Sequence, residues 1–192
     1  MRCSGIIIVF AAIIGITSAG WAEEANDAAV RISLGSAPGW DELDLGGGLS
    51  GGIDDKMGGQ LEVLYQKRFW KDELSSVAGV FGGGLFFTSA TGEVTDGIDT
   101  VEIDTRAFGV ILQGGVANKV SDRVVIEVMP YVGFGLANTE IAVFGTVHDD
   151  GEGAYTMIGI KGGVFVQLSD SMELGAEIGF QRSSADYEVG GG

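Results

Sequence analysis

Three features of the sequence predict an all-β fold, an antiparallel up-and-down transmembrane β-barrel. Apolar residues alternate with polar residues and glycines through seven segments, most of them 10 to 14 residues long. Strands of soluble sheets average about 5–6 residues, whereas a tilted strand needs about 9–11 to cross a bilayer. The chain is apolar on average (mean hydropathy +0.28) and holds 34 glycines. Yet after Ala22 no apolar run reaches the ~18 residues of a membrane helix. Finally, short polar turns alternate with long connections, as when turns occupy one rim of a barrel and loops the other.

The N-terminus is read separately. Arg2 gives a short positive region, Ile6 to Ile16 ("IIIVFAAIIGI") an apolar one, and Gly20 and Ala22 fit the −3 and −1 positions of a cut before Glu23. This is the pattern of a secretory signal peptide, and the apolar run is too short to span. The expected organisation is therefore a signal peptide over 1–22 and one barrel domain over 23–192. Cleavage removes Cys3, the only cysteine, so the mature chain has no thiol for a disulfide or for catalysis. It also takes the net charge from −16 to −17 by removing Arg2. A surface this acidic, with no basic patch, excludes nucleic acid as a partner.

In chain order the strands are expected at Ala29–Gly35, Gly59–Trp70, Ser76–Thr88, Asp104–Ala117, Arg123–Leu136, Tyr155–Leu168 and Met172–Gln181. Each alternates at period two and is rich in β-branched and aromatic residues. In "RVVIEVMPYVGFG" Val124, Ile126, Val128, Pro130, Val132 and Phe134 share one face; Glu127, Met129, Tyr131, Gly133 and Gly135 share the other. Polar turns are expected at Lys71–Ser75, Asn118–Asp122 and Ser169–Ser171, and long loops at Ser36–Met57, Ala90–Ile103 and Asn138–Ala154. Fourteen acids, from Asp41 to Glu152, fall on or at the foot of those loops, against Lys56 as the one base. Seven strands cannot close an ordinary bacterial barrel, which uses an even number. The preferred reading is eight strands when complete, with the C-terminal one missing after "YEVGGG"; the alternative is an extra strand in "LDLGGGLSG" (Leu43–Gly51).

The face opposite the apolar one decides between a lipid-facing barrel and a lipocalin-like one with apolar residues inside. It carries glycines interleaved with single long polar residues: Gly159, Lys161, Gly163, Phe165 and Gln167 on one strand; Glu173, Gly175, Glu177, Gly179 and Gln181 on the next. Glycine weakens a solvated strand but leaves room inside a narrow barrel for a neighbour's long side chain. The expected interior charge network is Arg31, Arg68 and Lys161 against Glu62, Glu127 and Glu177, with Lys161 the first candidate partner of Glu127. Charges in a narrow interior must pair. Aromatic girdles are expected at Phe69 and Trp70 and at Phe86 and Phe87.

"VSDRVVIEVMPYVGFGLA" and "GGVFVQLSDSMELGAEIGF" resemble the small outer-membrane β-barrels of the opacity-protein and OmpA-transmembrane-domain type. In these barrels a polar SD turn leads into a P-x-V-G-x-G strand and a G-A-E-x-G-F strand. The resemblance covers most of the chain after residue 22 and implies an outer-membrane (Gram-negative) location, insertion by the outer-membrane assembly machinery, and roles in envelope integrity, adhesion or small pores. The chain departs from it at the C-terminus, where the family ends in a strand with a terminal aromatic residue.

Other chemistry is thinly represented. His148, Asp149, Asp150 and Glu152 ("VHDDGEG") form a weak candidate site for a divalent cation such as Ca²⁺ or Mg²⁺, without the spacing of a calcium loop. No G-x-S-x-G element accompanies His148, so a hydrolase is not expected. "GGGLSGG" lacks the G-K-[ST] of a phosphate loop. The expectation is a monomeric barrel in outer-membrane lipid, not an enzyme, with no cofactor and a structural or surface-interaction role. The alternatives are a small-solute pore, or a soluble secreted or periplasmic lipocalin-like binding barrel.

Overall fold

The computed structural model describes residues 2–5, 11–17, 26–37, 42–44, 50–52, 58–71, 75–95, 100–143, 146–169 and 172–187. Seven long strands dominate: β1 (Asn26–Ala37), β2 (Gly58–Trp70), β3 (Val77–Thr95), β4 (Thr100–Ser121), β5 (Val124–Val143), β6 (Thr146–Ser169) and β7 (Met172–Tyr187). Each pairs antiparallel with its sequence neighbours, giving an up-and-down sheet curled into a half-barrel. All seven expected segments are strands.

Two N-terminal segments join this sheet. Arg2–Gly5 pairs with Gln181–Ser184 of β7. Ala11–Thr17 pairs on one side with Met172–Glu177 of β7 and on the other with Ala29–Leu34 of β1. Residues expected to leave as a signal peptide thus lie between the two edge strands of the full chain. The register sets Gly15 opposite both Arg31 and Glu173, and Ile14 opposite Ile32 and Leu174. The extra strand considered at Leu43–Gly51 is not part of this sheet. Glu42–Asp44 and Ser50–Gly52 instead form a separate two-stranded ribbon.

Two expected loops are mostly strand. β3 and β4 stay paired out to Thr95 opposite Thr100, and β5 and β6 out to Val143 opposite Thr146. The segments at 90–103 and 138–154 are therefore tall hairpins. Alternation persists there but changes parity: Val101 and Ile103 are the apolar positions against Glu102 and Asp104, and Ile141 and Val143 against Glu140, whereas the band uses the even positions, and the backbone ladder runs on through the change. The expected turn at Asn118–Asp122 is likewise shorter: β4 runs through Ser121, and a register shift between Lys119 and Ser121 precedes the reversal at Asp122 and Arg123.

Alternation sorts the side chains onto two surfaces. The convex one is apolar: among the described residues, 29 Val, Ile, Leu, Met, Phe and Tyr side chains are exposed, including Phe81 at 61 % and Leu85 at 62 %. The concave one is polar at its centre and capped by apolar residues at both ends. Read along β2, it runs Trp70, Arg68, Gln66, Leu64, Glu62, Gln60, all buried. Around Trp70, near the turns, lie Ala78, Val80, Ala117 and Met129. Near the hairpins lie Phe86, Tyr155 and Met157.

The expected aromatic girdles are halved. Phe69 and Phe87 are exposed, but Trp70 and Phe86 are buried inside. Adjacent strand residues point to opposite faces, so an aromatic pair cannot both face outward.

Candidate functional site: the buried charge network

Every expected interior charge is on the concave face: Arg31, Glu62, Arg68, Glu127, Lys161 and Glu177 are all buried. A seventh, Glu173, joins them. Its signal was available in the sequence, because Glu173 shares strand parity with Glu177, four residues on, and so must share its face. The seven fall into two tiers along the barrel axis.

The lower tier, nearer the turns, is built on two arginines. Arg31 grips Glu127 with both arms, Nη1 to Oε2 at 2.7 Å and Nη2 to Oε1 at 3.1 Å. Its Nε donates to Glu173 Oε1 at 3.0 Å. Arg68 donates from Nε to Glu127 Oε1 at 2.6 Å and from Nη2 to Glu173 Oε2 at 3.0 Å. Gln66 Nε2 also donates to Glu127, and Gln113 Nε2 donates to Gln66 Oε1. Two carboxylates thus face two guanidiniums, and the planar fork of arginine suits this sharing. The Phe165 ring lies 3.8 Å beneath the Arg31 guanidinium carbon, adding a cation–π contact. Phe165 reaches this place because Gly175 opposes it; a Cβ there would collide with the ring.

These contacts span the sheet. Arg31 on β1 touches Glu127 on β5 and Glu173 on β7, and Arg68 on β2 touches β5 and β7. Strands far apart in pairing order meet directly, so the network ties opposite walls together.

The upper tier is sparser. Lys161 Nζ donates to Glu62 Oε2 at 2.7 Å and stands 3.7 Å from Glu177 Oε2. Gln60 Nε2 donates to Glu62 Oε1 at 2.7 Å. Tyr131 donates its hydroxyl to Gln181 Oε1 at 2.8 Å, and its ring lies 5.5 Å from the lysine nitrogen. Room for that ring comes from Gly159, where a Cβ would come within 2.5 Å of Tyr131. A small cavity of about 30 Å³ opens beside Glu62, Lys161 and Glu177.

The expected partnership of Glu127 with Lys161 is not formed. In the register Glu127 opposes Gly163 while Lys161 opposes Met129, two residues nearer the hairpins. Lys161 serves the upper tier, and Glu127 is satisfied by arginines reaching from the far walls. Adjacency on neighbouring strands was the wrong guide, because long side chains in a narrow interior reach across it.

Asp149, Asp150 and Glu152 lie on strand β6 rather than in a glycine-containing loop. Asp150 and Glu152 oppose Glu140 and Asn138. The side chains of His148, Asp149 and Asp150 lie outside the described residues. Among the described residues no cluster of three or more His, Cys, Asp or Glu is arranged to hold a metal ion. Nor is any helix long and apolar enough to cross a membrane, which says nothing of strands.

No protein-family model and no curated protein matches the chain.

Proposed function

We propose that the chain is an integral outer-membrane β-barrel with eight strand positions, serving a structural or surface-interaction role without catalysis. The outward-facing apolar band carries this reading. On β6 the outer face is apolar from Ile158 to Leu168, and on β5 from Ile126 to Leu136. Eleven residues at ~3.3 Å each, tilted ~45°, rise about 25 Å, the height of the lipid-facing band of such barrels.

Charge appears near one level above the band, although on β6 Thr156 already interrupts the apolar face. Phe108, Leu136 and Ala154 stand in one cross-strand row; the next row is Arg106, Asn138 and Glu152; the next is Asp104, Glu140 and Asp150. Within one outward step Phe108 gives way to Arg106 and Ala154 to Glu152, while Leu136 gives way to the neutral Asn138 and then to Glu140, as at a membrane–water boundary. Near the opposite end, Lys67 lies 5.2 Å from the Phe69 ring, an arrangement suited to an interface.

A lipocalin-like binding barrel would need its apolar residues inside, where seven charged ones are buried among the described residues. The tiers and their apolar caps fill the interior, which supports a plugged barrel over a solute pore. The acidic hairpins above the band are the surface left for encounters with cations or other cells. In the full chain Ala11–Thr17 holds the eighth position. Export with cleavage before Glu23 would pass that position to another strand, and mass spectrometry of the mature N-terminus reads which form exists.

The decisive test is Leu112→Arg, placed mid-band on β4 and half exposed. In lipid this should cost about 2–4 kcal/mol of unfolding free energy. A change within about 0.5 kcal/mol, as for an ordinary water-facing position, would overturn the membrane reading. Stable conductance steps in planar bilayers would overturn the plugged interior.

A further inference from the structure

The two tiers differ in charge balance. Arg31 and Arg68 face Glu127 and Glu173, two against two. In the upper tier Lys161 alone faces Glu62 and Glu177, so one negative charge is left over among the described buried residues. Buried charge demands compensation. The cavity of about 30 Å³ lies where the imbalance is, lined by Ser33, Gln60, Glu62, Tyr131, Lys161 and Glu177 among others. It exceeds the ~10–15 Å³ that a single water needs.

Two further atoms single this cavity out. Ser33 Oγ and Gln60 Oε1 have no hydrogen-bond partner, although their residues are only 5 % and 7 % exposed. Buried polar atoms are nearly always paired, so such orphans call for a ligand. The amide of Gln60 is fixed by the bond from its Nε2 to Glu62, which leaves the carbonyl oxygen as the free end. Glu62 spends both oxygens, on Gln60 and on Lys161. Glu177 lies beyond hydrogen-bond distance of the lysine. Around the cavity a hydroxyl oxygen, an amide oxygen and an under-neutralised carboxylate are therefore brought together.

We propose that this cavity binds one monovalent cation of the sodium or potassium class, held by Ser33 Oγ, Gln60 Oε1 and the Glu177 carboxylate, with water completing its shell. The ligands are all oxygen, which suits a hard cation. Charge selects monovalence: one positive charge neutralises the tier, whereas a divalent ion would leave it positive beside the Lys161 ammonium. A divalent ion such as calcium would also want six to eight oxygens. The bound ion would do for Glu177 what the second arginine does for the lower tier. The site depends on the concave face alone and stands apart from what the outer face meets.

Thallium(I), a heavy stand-in for potassium, provides the probe. The full chain, folded in detergent, is titrated by thallium NMR and crystallised with the same ion for anomalous diffraction. The expected result is one interior thallium peak beside Glu177, displaced by potassium or sodium. Glu177→Gln should lower the affinity at least tenfold, and Ser33→Ala several-fold. If Glu177→Gln does not fold, Ser33→Ala and Gln60→Leu carry the decision. Unchanged affinity in the folded variants, or thallium bound only at the acidic hairpins, would overturn the proposal. So would a carboxylic-acid carbonyl band in the infrared spectrum that disappears in Glu177→Gln, since a proton on Glu177 would then supply the missing charge.

Discussion

The lower and upper tiers use the same ingredients, buried carboxylates and long cations, and reach different solutions. Below, each arginine serves two glutamates and each glutamate two arginines, with Gln66 and Gln113 donating beside them and Gln113 Oε1 left without a partner. Above, one lysine offers a single point of charge, and Ser33 and Gln60 keep oxygens without protein partners. Arginine's five donors in a rigid plane can close a ring of contacts across an interior; an ammonium cannot reach far enough to do the same. The lower tier therefore acts as a cross-brace, and the upper one keeps space and unspent coordination.

That contrast can be broken most forcefully at Glu127. Glu127→Ala leaves Glu173 as the one carboxylate for both arginines, in a site with no exposure at the glutamate, and should cost about 3–5 kcal/mol in denaturant unfolding from detergent or lipid. A loss under about 1 kcal/mol would mean that the lower tier is not a brace. Lys161→Ala should cost less, about 1–3 kcal/mol, because the adjoining cavity can admit water to the carboxylates left behind. Equal losses at the two positions would erase the distinction between tiers. The finest test is a pair of double-mutant cycles. Glu127 with Arg31 should show coupling of about 1–3 kcal/mol, and Glu127 with Lys161 additivity within about 0.5 kcal/mol. Strong coupling in the second cycle would merge the tiers into one network.

Much of this was legible from residue types and their spacing. Period-two alternation placed all seven strands, and the glycine-laced faces identified the interior, because a sheet allows only two directions for a side chain. Glu173 could have been read from its parity with Glu177. The partners of Glu127 could not, since Arg31 lies 96 residues away along the chain and Arg68 59. Their meeting depends on curvature, which alternation does not encode. The tall hairpins escaped for another reason: beyond the band the apolar residues shift to the other parity, as at Val101, Ile103, Ile141 and Val143, so following one face makes the strand end where it continues. There the register sets Asp104, Glu140 and Asp150 side by side. Like charges directly opposite weaken a ladder, which makes these hairpins the part of the sheet most dependent on ionic strength.

The position between β1 and β7 also sets a clock. Each of the seven long strands is otherwise paired with its neighbour in sequence and can zip locally. At this seam Ile16 must find Met172, more than 150 residues along the chain. A strand drawn instead from beyond β7 would be equally remote from β1. Whatever fills it, the last contact has the largest loop to close, so it forms late and sets the slow phase of folding. Until then two long edges stand open, and the time spent waiting is the time in which another chain can pair with them.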